Sequence, residues 1–427
     1  MRELPADELQ FILNTFSFLV WGALVMWMCA GFTMLEAGSV RTKNASMICL
    51  KNIGLYAIAG LAYYLIGYSL MYVDVGGLVG SFSFLYGSSA DELALVAGDA
   101  GARAAVIASD YSTMSDWFFQ MVFVATAASI VSGTLAERVH LWSFFAFTLV
   151  LTALIYPIVG AWTWGGGWLD ALGFQDFAGS TIVHGTGGWA ALAGALVVGA
   201  RRGKFPKSGG VVTTPPSNVP AVTLGVFILW FGWFGFNGGS QLALASAADV
   251  VAMGHVLVNT NLAGAAGVIA AIAVSRPILG RVDLLAGLNG AIAGLVSITA
   301  GPDLVGHYWA IIIGAIGGIL CTAGIKLLER VKVDDVVGAV PAHLFAGAWG
   351  TVAASIAGGA NLGVQLLGVV AIGAFAFTSS WLVWFGLEKT MGARVSRQVE
   401  QLGGDAAELG IEAYPEFVLM PERDDED

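Results

Sequence analysis

The sequence predicts an all-α polytopic membrane protein with eleven transmembrane helices, and three observations carry the prediction. Of its 427 residues, 57% are hydrophobic and 11% charged, with a mean hydropathy of +0.78. Soluble domains carry about a quarter charged residues, and so few charges would not cover a soluble surface of this size. The apolar residues gather into eleven runs of a length that crosses a hydrocarbon core about 30 Å thick. Basic residues then mark every second loop. This composition excludes an ordinary cytosolic enzyme and a disordered regulator. The net charge of −11 disfavours nucleic acid as a partner. Fifty-eight glycines fit tightly packed spans, because small residues let membrane helices approach closely.

The runs fall at about 11–35, 48–72, 116–135, 141–162, 180–200, 219–239, 252–274, 284–300, 307–328, 336–358 and 362–387. The N-terminus, Met1-Arg2-Glu3-Leu4-Pro5-Ala6-Asp7-Glu8, lacks the basic stretch of a signal peptide, so the first run is expected to stay as a span. Segment 74–115 is rich in Gly, Ser and Asp and reads as the longest outer loop. Segment 201–217, with Arg201-Arg202-Gly203-Lys204 and Pro215-Pro216, reads as a linker between two halves. Residues 1–388 form the expected membrane domain, and 389–427 an acidic cytoplasmic tail. Cys29, Cys49 and Cys321 sit in apolar segments without framework spacing, so neither disulfide scaffold nor metal knuckle is expected.

With the N-terminus outside and the C-terminus inside, all Lys and Arg except Arg2 and Arg103 lie at the inner face or its edge. Removing one middle span would move the Arg201–Lys207 or the Arg330–Lys332 cluster outside. Charge placement therefore supports both the count of eleven and the N-out/C-in orientation.

Two segments repeat. Asp176-Phe-Ala-Gly-Ser-Thr-Ile-Val-His184 opens the fifth span and Asp335-Val-Val-Gly-Ala-Val-Pro-Ala-His343 opens the tenth. Five spans separate them, and an odd number per half forces opposite orientations. The chain is thus expected to hold an inverted 5+5 repeat, about 11–200 and about 219–358, plus an extra span at about 362–387. Eight helical residues advance about 12 Å, so His184 and His343 reach the midplane from opposite faces. A lone membrane histidine is as readily a satisfied core residue as a functional one. Two at matched positions, in a chain with five His, favour function. His140, His255 and His307 read as structural or interfacial. The pair lacks a third ligand, so no metal site is expected. Asp176 and Asp335 read first as helix caps.

The spans hold almost no fixed charge, with Glu36, Glu137 and Glu329 at inner ends, so an unpaired ion would cross at a cost of several kcal/mol. A small molecule that crosses neutral but takes up a proton fits better, and imidazole can donate to it, accept from it or relay a proton. Phe119 and Phe123 share one face of the third span. Trp164 ends the fourth span, and the run Trp233-Phe234-Gly235-Phe236-Asn237-Gly238-Gly239-Ser240 ends the sixth. Two readings stand for these aromatics: an interfacial belt, or cation–π binding of an ammonium-like ion at an outer mouth.

Here the sequence resembles the ammonium transporters of the Amt/Mep/Rh superfamily, on the Amt side. The likeness runs over nearly the whole chain. It is carried by Gly31-Phe-Thr-Met-Leu-Glu-Ala-Gly-Ser-Val-Arg-Thr-Lys-Asn44, Thr134-Leu-Ala-Glu-Arg138, Trp164-Gly-Gly-Gly167, Asp176 to His184 and Trp233 to Ser240. The resemblance implies an eleven-helix homotrimer with one pore per subunit, needing neither cofactor nor ATP. It implies an outer ammonium site of Phe119, Trp164 and Ser240, and a stacked gate of Phe123 and Phe236. His184 and His343 would be the twin pore histidines, Asp176 the supporting acid and Trp233 a pore wall. Ammonium would bind outside, lose its proton and cross as ammonia, with the proton crossing too in many members. Potassium has no proton to lose. The chain departs from the pattern at Pro341-Ala342-His343-Leu344, where many members have Val-His-Gly; a bend before the site is expected there. The tail Glu408-Leu-Gly-Ile-Glu-Ala-Tyr414 has Leu-Gly-Ile where the family usually has His-Gly-Glu.

The function expected is ammonium transport across the cytoplasmic membrane, with methylammonium as a second substrate and a PII-type protein as a partner at the tail. The alternative is an ammonium sensor on the same fold. Sensors carry a further domain after the last span, and about forty residues follow it here, which disfavours that reading. A membrane enzyme finds no nucleophile–base, metal or cofactor motif. The twin histidines and the Trp164/Ser240 mouth disfavour a neutral-solute channel.

Overall fold

The computed structural model describes residues 4–417. Arg2, Arg423 and the tail beyond 417 lie outside the described residues. Among the described residues every regular element is a helix, joined by loops such as 73–89 and 199–218, without strands. Ten helices are long and apolar enough to cross a membrane: α1 Ala6–Ser39, α2 Thr42–Tyr72, α3 Thr113–Thr134, α4 Leu141–Trp162, α5 Ser180–Val198, α6 Val219–Gly239, α7 Ala247–Leu279, α9 His307–Arg330, α10 Val340–Gly358 and α11 Leu362–Thr390. Between α7 and α9 lies α8, Leu284–Ile298, apolar but only 15 residues long.

Local sequence sets the ends. Asn218, Ser246, Asp283 and Asn361 cap α6, α7, α8 and α11 by accepting first-turn N–H groups. Gly280 and Gly359 stop α7 and α10 in the left-handed conformation. Helices α1 and α7 run past the apolar stretches expected at 11–35 and 252–274; α7 is extended by a capping box of Ser246 and Asp249, whereas α1 starts after Pro5 without a side-chain cap.

Two sets of loops gather on opposite faces. On the basic face, Arg41 and Arg201 each reach Glu137 at 3.0 Å, and Arg201 also pairs with Asp334 at 2.8 Å. Arg138 donates to the carbonyls of Gly199 and Asp334. The loops after α1, α3, α5 and α9 are thereby stitched together. Burial would raise Asp334, but hydrogen bonds from Arg201 and the charges of Arg138 and Arg201 hold it at about 2. The chain after α11 returns to this face. Glu400 pairs with Arg394 and Arg202, and the buried Asp405 carboxylate accepts the N–H groups of Ser46 and Met47 at the start of α2. On the other face, Ser112 N–H donates to Thr15 and Leu244 N–H to Asn14.

Helix α3 is buried along most of its length and forms the centre, with α5 beside it, while α7 and α11 expose long apolar faces. Helices α1 and α6, the first of each half, pack along one another with Gly31 against Gly225.

Glu36 stands in the last turn of α1, which ends at Ser39, and is fully buried there. Its Oε2 accepts from Ser132 at 2.6 Å and lies 3.9 Å from the buried Lys51 ammonium of α2. A charged residue buried in a span is paired because an unpaired one is too costly. Asp116 of α3 is buried as well, accepting from Tyr68 and Gln120.

Candidate functional site

The two Asp-to-His segments fold alike. Asp176 accepts four backbone N–H bonds, from Gly179, Ser180, Thr181 and Ile182 at 3.1, 2.7, 2.8 and 2.9 Å. Asp335 accepts from Gly338 and Val340 at 3.2 and 2.7 Å. In each segment the glycine three residues after the Asp takes a positive φ, 105° at Gly179 and 79° at Gly338. Each helix then begins with a six-residue π-helical turn, Ser180–Gly185 or Val340–Phe345, followed by 13 α-helical residues. Such turns often mark functional sites. The bend expected from Pro341 takes this form, but Pro341 is not its cause, since Ser180–Gly185 makes the same turn without proline. Pro341 sits in the first turn, where an N–H has no helical partner. Burial pushes the Asp176 carboxyl up to about 6, against the pull of its four N–H donors.

The histidines that follow meet. His184 Nδ1 and His343 Nδ1 lie 3.2 Å apart, with rings stacked at 5.2 Å, so one ring donates and the other accepts. A glycine four residues after each histidine makes the approach possible. A Cβ on Gly188 would lie 2.8 Å from the Leu344 nitrogen, and one on Gly347 would strike the Ser180 carbonyl.

The other site residues line up with the pair. Phe119 lies 4.9 Å from Phe123, which stacks on Phe236 at 4.0 Å. Trp164 meets Phe123 edge-on at 6.1 Å, and its indole N–H donates to the Asp176 carbonyl. Phe236 and Trp233 stack on His184 at 5.2 and 5.0 Å, and Trp233 is fixed by a 2.9 Å bond to Thr299. Trp164 and Ser240 stay partly open, whereas the Phe pair and both histidines are buried. The Ser240 hydroxyl donates to the Phe236 carbonyl of its own helix at 2.8 Å, which leaves its oxygen lone pairs to accept. His184 Nε2 is buried and has no hydrogen-bond partner among the described residues.

Beyond His343 the row of side chains continues through Phe32 and Glu36, two residues of the Gly31–Asn44 motif that had no place in the expected site. Phe32 lies 6.4 Å from the His343 ring. His343, Phe32, Ile130 and Glu36 bound a cavity of about 10 Å³, room for about one water-sized molecule. Leu35, Asn289 and Val337 line both this cavity and a vestibule of about 270 Å³ on the basic face. Phe32 and Glu36 stand four residues apart on one face of α1, the spacing that would have revealed them. His255 and His307 form a separate cluster with Asn259 and the Val305 carbonyl, as structural histidines do. No three metal-ligating side chains gather among the described residues.

The chain matches the Ammonium Transporter Family over residues 16–414. Ammonium transporter Amt2 of Archaeoglobus fulgidus is 39% identical over 433 residues, covering 94% of this chain and 88% of its own. A putative ammonium transporter of Synechocystis is 40% identical over 411 residues, covering 94% and 89%. Among solved structures, a Sensor Amt Protein matches with a TM-score of 0.85 at 35% identity, over 94% of this chain and 99% of that one. Candida albicans Mep2 matches with a TM-score of 0.78 at 27% identity, over 92% and 89%. The chain belongs to the ammonium transporter family, a family of membrane transporters and not of enzymes.

Proposed function

We propose that the protein carries ammonium across the cytoplasmic membrane, with methylammonium as a second substrate, by binding the cation outside and passing it inward as ammonia. The basic face is the cytoplasmic side, which gives the N-out/C-in orientation. Ammonium is held by the ring faces of Phe119 and Trp164 and by Ser240. It sheds its proton before the Phe123–Phe236 stack, because an unpaired cation in a span costs several kcal/mol. Ammonia passes as those rings move and follows Trp233, His184 and His343. The single observation that carries this reading is the buried twin-histidine contact at 3.2 Å, with His184 Nε2 left free for a passing molecule. A hydrogen-bonded imidazole pair can hand on a proton as well as guide ammonia, so transport is electrogenic. Potassium, with no proton to shed, is refused.

Asp176 supports the site by holding the turn that presents His184 and by fixing Trp164 through its carbonyl. Residues 1–388 are the membrane domain, assembled as a homotrimer with one pore per subunit. Residues 389–427 are the cytoplasmic tail, where a PII-type protein docks. The test of the pore assignment is methylammonium uptake by cells producing the double variant His184→Leu/His343→Leu. Uptake is expected to vanish at unchanged levels of folded protein, and retained uptake would refute the assignment. A second reading, ammonium sensing on this fold, is favoured by the likeness to the Sensor Amt Protein. A protein that binds ammonium yet supports no uptake would decide for it.

A further inference from the structure

Glu36 is a buried carboxylate that shares a cavity with a twin histidine, His343. Its Oε2 is occupied by Ser132 and the Asn52 side chain stands beside the carboxyl, but Oε1 is buried without a hydrogen bond of ordinary geometry among the described residues. A buried carboxylate oxygen left unpaired is costly unless something visits it. The cavity it shares with His343 holds about one water-sized molecule, and ammonia is of that size. It is also the neck between the histidine pair and the vestibule.

The surroundings suit a group that changes charge. The Lys51 ammonium is only loosely paired with Glu36, at 3.9 Å. It is otherwise held by the Ser132 carbonyl at 2.7 Å and by the face of Phe144 at 5.1 Å. Lys51 therefore keeps partners when Glu36 is neutral and gains one when it is ionised. The Ser132 hydroxyl donates to Oε2 in either state. The titratable groups around Glu36 are Lys51 and Cys49 of α2, Arg138 beyond Lys51, and His343 across the cavity.

We propose that Glu36 is the carboxyl group that returns a proton to ammonia at the inner mouth. Ammonia leaving His343 enters the cavity and takes the proton from Oε1: the O–H bond breaks, an N–H bond forms, and ammonium stands beside a carboxylate. Ammonium departs into the vestibule, whose wall carries both acidic and basic side chains, with Asp283 paired to Arg281 and Glu329 to Lys326. Glu36 recovers a proton from His343 through a molecule in the same cavity. That proton is the one released outside, so each cycle moves one ammonium and one positive charge.

This inference rests on the twin-histidine reading, and its test separates the two. Proteoliposomes holding the full chain receive an ammonium pulse while current and internal pH are recorded. Glu36→Gln is made together with Lys51→Met, which keeps the buried charge balanced. The double variant is expected to lose at least tenfold in peak current, and the inner-pH dependence of the residual current should flatten. Glu36→Asp should restore a pH-dependent current with a displaced midpoint. A double variant with wild-type current and an unchanged pH profile overturns the proposal. Should the double variant not yield folded protein, Glu36→Asp alone decides: an unchanged profile overturns the proposal and a displaced one supports it. A wild-type protein that passes no current would instead refute the proton-coupled reading itself.

Discussion

Replacing Asp176 by Asn removes one oxygen and little else, so its effect follows from the cap. The carboxylate accepts four N–H groups, two on each oxygen, and the carbonyl of the amide can keep two. The NH2 group then faces two N–H donors that it cannot satisfy, those of Thr181 and Ile182 if the orientation is kept. Each buried donor left without a partner costs about 1–3 kcal/mol, so the turn should lose about 2–6 kcal/mol of local stability. At about 1.4 kcal/mol per tenfold, the lower end corresponds to exchange of these amides about 30-fold faster. Hydrogen–deuterium exchange of the peptide over 176–184, followed by mass spectrometry, reads this directly. Exchange in Asp176→Asn should rise by at least that factor, with peptides from α7 unchanged. Exchange within threefold of wild type would refute the claim that the Asp176 carboxylate holds the turn that presents His184.

Gly188→Ala places a Cβ 2.7–3.0 Å from backbone and Cβ atoms of Leu344 and should cost about 1–3 kcal/mol while spreading the histidines. Gly254→Ala, with nothing within 4 Å, should stay within about 0.5 kcal/mol of wild type, and thermal unfolding in detergent compares the two. Asp334 is held at about 2, below the 3.8 of an ordinary aspartate. A depressed carboxylate contributes stability above its unfolded pKa and loses it as pH falls through the folded one. About 2 kcal/mol should therefore fade between about pH 4 and pH 2. Arg201→Gln should reduce that loss, and identical acid profiles for the two proteins would count against the ion-pair network.

Much of the architecture was legible because a bilayer imposes a length and a polarity that the chain must write down. Runs ending near Gly239 and Trp162 were placed within a residue. The histidines were legible as a spacing, since the Asp-to-His interval recurs in helices five spans apart. Other features depend on packing. The π-helical turns that open α5 and α10 have no composition of their own; the signal before them is a glycine three residues past each Asp, used here at positive φ. The closeness of α5 and α10 depends on Gly188 and Gly347, two glycines among 58. Glu36 is legible as an end residue because hydropathy falls there, but not as a buried one, since its burial depends on Lys51 and Ser132 of neighbouring helices. Ser240 ends the sixth run and stays partly open, but hydropathy does not say that its hydroxyl turns back onto Phe236.

The central claim is that ammonium parts with its proton, that ammonia passes the twin histidines, and that the charge still crosses. An ammonium pulse on proteoliposomes tests it most directly. The account predicts a transient inward positive current from the wild-type protein, none from the same pulse of potassium, and none from His184→Leu/His343→Leu. Neutral ammonia flux without current, or an undiminished current from the double variant, would contradict it.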